Sequence, residues 1–381
     1  MLKQRILIFY DHFYPAWKAG GPVQSLVNLV NNLHTQYDLY IICKPHEMNE
    51  SVLLQGIKVN EWSSWEGKAK VYYWNYSFGK RKALLSLITS VNPHTVFING
   101  LYSLYFNLLP LWYSLNHTTA RVIWSARGML HNGALAQKAF KKKTFLAAVK
   151  LLKLHQRVIW HATDEKEAEY ISQKMGNVNV LVAGNYPKRI QDLPVLEKRA
   201  GKLILGTVAL ISPMKNHKAI AEALQKCNGS VTWLIYGPVK DQQYWNECLQ
   251  LIQQLPANIE VTYRGELAPD KLTEALQAIH VFIMPSESEN FGHALYEALS
   301  AGKPVITTTT TPFYKLQEKR AGFAVSLNQL TSSLTDAVNY FLQMEQVEYD
   351  AYCMHALTFA QSHISIEELS NQYQKLLVSN Q

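Results

Sequence analysis

Short apolar segments alternate with helical stretches twice along the chain, on either side of a break at Asn185–Lys202. Before the break, the predicted strands are Ile6–Tyr10, Leu39–Ile42, Thr95–Ile98, Val122–Ser125, Val158–His161 and Val180–Val182. The predicted helices between them are Val23–Asn32, Lys80–Ser90, Tyr102–Leu115, Ala134–Leu154 and Asp164–Lys174. After it come strands Leu203–Val208, Val231–Tyr236, Ile259–Tyr263, Val281–Met284 and Pro304–Thr308, again separated by helices. This rhythm implies parallel strands joined by right-handed crossovers. The break, NYPKRIQDLPVLEKRAGK, carries two prolines and many charges and reads as a linker. A chain of 381 residues is too long for one ordinary core. The expectation is α/β: two Rossmann-like, doubly wound domains facing a cleft. They span residues 1–187 and 202–365, with a linker at 188–201 and a final helical segment at 366–381.

Composition narrows the function classes. Hydrophobic residues make up 48% and charged residues 17%, which excludes a disordered chain. Met1 to Arg5 run straight into a strand too short for a signal peptide, and Leu101–Leu115 is interrupted and too short for a membrane span. Cys43, Cys227, Cys248 and Cys353 are scattered without metal-ligand or redox spacing, so a cytoplasmic protein with reduced thiols is expected. Residues 1–190 hold 23 Lys/Arg and 10 Asp/Glu, a balance of 23 − 10 = +13. The remainder hold 14 and 19, or −5, and no acid occurs between Glu66 and Asp164. Inside that gap, KAFKKKTFLAAVKLLKLHQR interleaves lysines with Phe140, Phe145, Val149, Leu151, Leu152 and Leu154. Such a helix fits an anionic membrane surface; it equally fits a core-packed helix whose outer face is basic. No nucleic-acid recognition motif accompanies the charge, so nucleic acid is not an expected partner.

The segment VFIMPSESENFGHALYEALSAGKPVI, 281–306, carries the most chemistry. It reads as a buried strand, a loop with carboxylates, a glycine-started helix and a second strand. In a parallel sheet that loop lies at the carboxyl ends of the strands, where ligands bind. The helix starting near Gly292 turns free N–H groups and its positive dipole end to that place, which suits a phosphate. Glu289 stands just ahead of the helix and Glu297 about one turn inside. Carboxylates accept from sugar hydroxyls, so two acids flanking an anion site point to a ligand that is sugar, phosphate and ribose together.

This string resembles the donor-site signature of retaining glycosyltransferase family 4, a GT-B fold group. The matching positions are Glu289, Phe291-Gly292, Glu297-Ala298, Gly302 and Pro304-Val305. ALISPMKNHKAI, 209–220, is similar to the family's Ser-Pro-x-Lys-Asn loop, whose lysine, Lys215 here, contacts donor phosphate. Leu210 stands where members commonly carry an Arg, so that phosphate-neutralising cation is missing or is supplied by another residue such as Arg264 or Arg127. Gly20-Gly21 followed by Pro22 opens a helix and is similar to the family's Gly-Gly loop, which reaches toward donor and acceptor. WSARGMLHNG, 124–133, is similar to a segment in members that build bacterial surface polysaccharides, with Arg127 and His131 as candidate sugar or acceptor contacts. In HATDEKEAEY, 161–170, Thr163 is expected to cap a helix with Glu167 bonding back.

The resemblance implies a cytoplasmic, membrane-peripheral enzyme moving a sugar from a nucleoside diphosphate sugar to a glycan or lipid-linked acceptor with retained anomeric configuration. The setting would be synthesis of a surface polysaccharide: lipopolysaccharide, capsule or exopolysaccharide. Glu289 and Lys215 would be catalytic. Gly21, Lys215, Asn290, Phe291, Gly292 and Glu297 would bind the donor; Gly20, Arg127 and His131 would touch acceptor or sugar. No cofactor and no metal is expected, since no Asp-x-Asp or metal-ligand spacing occurs. The alternatives are a nucleotide-sugar epimerase or hydrolase, a glycan phosphorylase (for which no pyridoxal phosphate lysine stands out), and a catalytically degenerate sugar-nucleotide-binding protein. The last 16 residues, 366–381, would by the same resemblance cross back to the first domain.

Overall fold

A computed structural model describes residues 3–76, 81–131, 135, 139–190 and 193–378. Lys80, Ala134 and residues 136–138, at the starts of two predicted helices, lie outside the described residues. The chain divides into two compact units, residues 1–186 with 366–381, and residues 187–365. Among the described residues, no helix is long and apolar enough to cross a membrane.

Unit 1 is built on one sheet of strands β1 (Gln4–Phe9), β2 (Tyr37–Cys43), β3 (Trp62–Trp65), β4 (Ala69–Tyr73), β5 (Thr95–Asn99), β6 (Arg121–Ser125), β7 (Ile159–Ala162) and β8 (Val180–Val182). Their order is β3-β4-β2-β1-β5-β6-β7-β8, parallel throughout except where β3 runs against β4. Ile6 lies opposite Leu39 on one side and Thr95 on the other. Sequence periodicity missed the β3–β4 hairpin because both strands are short and two of the four residues of β3 are serines; its turn residues Glu66 and Gly67 both adopt positive φ, as hairpin turns favour. The predicted helix at 102–115 is divided instead into a π-turn, Leu104–Leu108, and a helix, Leu109–His117. Pro110 has no N–H to donate back, so one continuous α ladder cannot run through it. The C-terminal helix Ile366–Leu377 packs in this unit. Its last carbonyls, at Leu376 and Leu377, accept from Arg121 Nε at 2.9 Å and Thr95 Oγ1 at 2.7 Å. These bonds satisfy groups that a helix end otherwise leaves open.

Unit 2 has strands β9 (Lys202–Val208), β10 (Ser230–Tyr236), β11 (Ile259–Tyr263), β12 (Val281–Ile283), β13 (Val305–Thr308) and β14 (Gly322–Val325), all parallel in the order β11-β10-β9-β12-β13-β14. The order reverses between β9 and β12. Strand β14 escaped prediction because it is short and begins at a glycine. There, a Cβ would sit 1.9 Å from the Val305 carbonyl oxygen, an approach only glycine permits. The segment read from sequence as a linker is packed into unit 2: Ile190 is buried in its core, and the buried Lys198 ammonium donates to the Arg199, Leu342 and Met344 carbonyls.

Candidate functional site

The reversal of strand order places the loops following β9 and β12 side by side, the position where open α/β sheets bind ligands. Backbone and side-chain bonds tie the two loops together. The Glu287 N–H donates to the Met214 carbonyl at 2.9 Å, and Asn216 Nδ2 donates to the Pro285 carbonyl at 2.8 Å. Asn216 holds positive φ as the residue joining a short turn, Pro213–Lys215, to the helix His217–Leu224. Lys215 Nζ and a Glu289 carboxylate oxygen form an ion pair, each side chain about one-seventh exposed. The two residues assigned catalytic roles from sequence are thus direct partners. Nothing in the sequence signalled this pairing across 74 positions.

Helix His293–Ser300 starts from Gly292, which caps it in the left-handed conformation at φ 76°. A Cβ there would meet Leu295 and Phe313 at 3.1 Å each. The Phe291 ring lies against His293 and Tyr296, while Asn290 is exposed ahead of the helix. Glu297 sits on the first turns of this helix and is 6% exposed. Burial pushes its carboxyl up to about 8, with the Lys188 charge opposing. No hydrogen bond to this carboxyl is found among the described residues. The sequence reading treated both glutamates as hydroxyl-accepting carboxylates; their environments separate them into an ion-paired acid and a buried one that stays protonated at neutral pH. Ser286 Oγ, on the same loop, is buried without a partner among the described residues. Buried polar groups ordinarily have one, so these two are candidates to be completed by a ligand.

His217 follows Lys215 closely and sequence reasoning assigned it nothing. It is fully buried beside Trp233 and Tyr244, and burial together with the Lys215 charge lowers it to about 4. A neutral ring there adds no second cation next to Lys215.

In unit 1, Gly20 has φ 70° and Gly21 begins the helix Gly21–Leu33, with Pro22 in its first turn. A buried carboxylate that no sequence motif marks holds this loop. Glu47 accepts from the backbone N–H groups of Trp17 at 2.8 Å, Lys18 at 3.1 Å and Met48 at 2.8 Å. Lys44 and Asp11 form an ion pair at 2.5 Å, and Ser103 Oγ donates to Asp11 at 3.1 Å, at the carboxyl ends of β1, β2 and β5. Arg127 lies in a left-handed turn, and its guanidinium donates to the Asn99 and Asn185 side-chain oxygens, each at 2.9 Å. The His131 ring stands edge-on to Tyr170 at 4.9 Å. The helix cap is one residue later than expected: Asp164, not Thr163, accepts from the Glu167 N–H at 2.7 Å. Glu167 bonds back to the Thr163 N–H and hydroxyl and also takes the Gly128 N–H at 2.5 Å, fixing the turn that carries Arg127. His161, fully buried, accepts from Ser125 at Nδ1 and donates from Nε2 to the Ala183 carbonyl, both at 2.8 Å; a carbonyl can only accept, so the proton is on Nε2. Burial, reinforced by Arg127, lowers it to about 3.

Among the described residues, no three His, Cys, Asp or Glu stand together as a metal site would require. Residues 188–354 match the family described as glycosyl transferases group 1. Over 137 residues, 34% of this chain and 32% of the relative, the chain is 31% identical to TuaH of Bacillus subtilis (strain 168), named for teichuronic acid biosynthesis. Over 101 residues it is 30% identical to the sulfoquinovosyl transferase SQD2 of Arabidopsis thaliana, covering 26% of this chain and 19% of that one. The chain therefore spans about a third and about a fifth of these two relatives. Solved structures align over nearly its whole length. Anabaena HepE, crystallised with UDP and glucose, gives a TM-score of 0.69 at 16% identity, covering 98% of this chain and 99% of that one. The sucrose-phosphate synthase of Thermosynechococcus elongatus gives 0.70 at 15%, covering 98% of each. WaaG, a glycosyltransferase involved in lipopolysaccharide biosynthesis, gives 0.66 at 11%, covering 99% and 100%. These likenesses establish the architecture: the chain has the GT-B fold, two Rossmann-like α/β domains.

Proposed function

We propose that the protein is a retaining glycosyltransferase that takes a sugar from a nucleoside diphosphate donor, the donor lying on unit 2. The observation that carries this reading is the Lys215–Glu289 ion pair beside the Gly292 helix start, with the buried Glu297 one turn inside. The match of residues 188–354 to group 1 glycosyl transferases supports it, as do the names of the sequence relatives and the UDP bound to HepE. In this reading the amides at Phe291 and Gly292, with the Lys215 ammonium, hold the diphosphate and stabilise charge building on it as the glycosidic bond breaks. Glu297 meets the ribose hydroxyls. Glu289, with Asn290, orients the transferred sugar and holds Lys215 until the diphosphate claims it. The acceptor hydroxyl attacks from the face the leaving phosphate vacates, and a phosphate oxygen takes its proton. Positioning and fixed charge then carry the rate enhancement, without metal or covalent glycosyl-enzyme.

Acceptor recognition falls to unit 1, with the Gly20-Gly21 loop, Arg127 and His131 as contacts. The acceptor is a glycan or lipid-linked sugar of a bacterial surface polysaccharide. Thermal-shift screening against UDP-, GDP- and other nucleotide sugars identifies the donor, since a ligand at a hundredfold its Kd stabilises by about 2.7 kcal/mol. Proton NMR of the product then reads the anomeric configuration. An inverted product removes retention; donor binding without transfer or hydrolysis reduces the protein to a binding module.

A further inference from the structure

Arg127 is a half-buried cation without a counter-ion. Its guanidinium donates from Nε to Asn99 and from Nη1 to Asn185, both neutral acceptors, and lies 6.0 Å from the centre of the buried Phe97 ring. A guanidinium carries five N–H groups, so three here, one on Nη1 and two on Nη2, have no partner among the described residues. Nor does Arg127 form an ion pair among them. Two acids of this unit are spent elsewhere: Asp11 on Lys44 and Ser103, Glu167 on the Gly128 and Thr163 N–H groups and the Thr163 hydroxyl. Tyr10, His161 and Tyr373, the titratable groups that its charge reaches, are kept neutral by burial. The backbone at Arg127 is left-handed, φ 49°, which an L residue adopts only at a cost. Asn99 closes β5 and Arg127 follows β6, beside the reversal of strand order between β1 and β5, where an open parallel sheet takes its ligand.

We propose that Arg127 binds a carboxylate carried by a sugar substrate, which makes the protein selective for a hexuronate over the corresponding neutral hexose. A charge drawn partly out of water is costly until it is paired, and the fold supplies no pair. The asparagines hold the guanidinium plane in place and leave its charge uncancelled, as a site for an incoming anion requires. One uncompensated positive charge, with its remaining donors on the two terminal nitrogens, matches one planar carboxylate; a phosphate dianion would bring a second negative charge that this site does not meet. The inference rests on the proposed function only in taking the ligand to be a sugar. Two sources present the same chemistry: the carboxylate of the transferred sugar, and that of the acceptor.

Equilibrium binding to the full chain separates them. One arm compares UDP-glucuronate with UDP-glucose and GDP-mannuronate with GDP-mannose; the other compares methyl glucuronide with methyl glucoside in the presence of UDP or GDP. In one arm, wild type is expected to bind the acidic probe about tenfold or more tightly than its neutral counterpart, and the preference should shrink as salt rises. Arg127→Gln should bind the two alike. Asn185→Asp keeps the guanidinium but puts a carboxylate where only the Asn185 oxygen is used, so it should also lose the preference while melting no lower than wild type. Equal affinity for acidic and neutral probes in both arms overturns the proposal, as does a preference that survives in either variant. A uniform loss of affinity for UDP, GDP and every nucleotide sugar in Arg127→Gln would assign the guanidinium to the diphosphate and overturn it as well. Binding of UDP and GDP alone keeps the two readings apart. Wild type that prefers the acidic glycoside yet takes no nucleotide sinks the transferase reading and upholds this one; nucleotide binding without acid preference does the reverse.

Discussion

Lys215 and Glu289 neutralise each other across the loops that follow β9 and β12, so neither charge can be removed without leaving its partner partly buried and unpaired. A diphosphate arriving at the Gly292 helix start would compete with the Glu289 carboxylate for the same ammonium. In the proposed reading the pair is a placeholder for the ligand: it would keep Lys215 oriented beforehand and give it up at a cost that donor binding must offset.

For the reaction, Lys215→Ala is expected to lower kcat by about 10²–10³-fold, in line with removal of one stabilising donor. Glu289→Ala should lower it similarly, and the double variant should fall well short of the product of the single effects, because the residues act as a unit. Steady-state kinetics of the four proteins with the identified donor checks this; strictly multiplicative losses would show that the ion pair has no part in turnover.

In the proposed reading, Glu297 links donor binding to proton release. Its carboxyl is held up at about 8 by burial, so near pH 7 it is protonated in the free protein. Ribose hydroxyls donating to it favour the ionised form, so binding should release close to one proton near pH 7. Titration calorimetry in buffers of different ionisation enthalpy measures the number, and Glu297→Gln should bring it to zero.

The same group fixes a stability trend. Folded Glu297 keeps its proton up to about 8, whereas the unfolded carboxyl loses it near 4.5, so folding becomes less favourable as pH rises between those values. The difference is on the order of 5 kcal/mol at the upper end. Denaturant melts of Glu297→Gln should lack this decline and should be more stable than wild type at pH 8.

Buried histidines impose the opposite slope on the acid side. His161 is lowered to about 3 and His217 to about 4, while both protonate near 6.5 when unfolded. Stability from each is complete above 6.5 and is lost progressively as pH falls toward those values. His161→Ala also strands the Ser125 hydroxyl and the Ala183 carbonyl, at a cost of about 2–3 kcal/mol. Thermal melts between pH 7 and pH 4.5 would show a shallower acid loss in the variant.

Gly292→Ala tests the helix start. A methyl group at φ 76° meets Leu295 and Phe313 at 3.1 Å, so the variant should lose about 1–2 kcal/mol of unit 2 stability and bind donor more weakly. Unchanged melting and unchanged donor affinity would remove the need for glycine at this cap.

Much of this was legible in the sequence, and for identifiable reasons. The strands that flank the site are buried on both faces, so they read as short apolar or β-branched runs: Val281–Ile283 and Val305–Thr308 stand within one residue of their predicted ends. Gly292 and Lys215 lie in loops whose residue types announce their backbone. What could not be read is pairing at a distance. The Lys215–Glu289 contact, the Glu47 clasp on the Gly20-Gly21 loop and the packing of Ile190 and Lys198 into unit 2 all join segments whose separation in sequence carries no periodic trace. The protonation of Glu297 is of the same kind, because it depends on what surrounds the side chain rather than on its spacing.

Arg127 supplies a last consequence. Its guanidinium reaches from the turn after β6 to Asn99 and to Asn185, while Asn28 donates to the Tyr186 carbonyl at 2.9 Å and the Gly184 N–H donates to Gln372 at 3.0 Å. Residues 184–186 are thus moored at every position, so unit 1 keeps its backbone ordered up to its last residue before the chain leaves it.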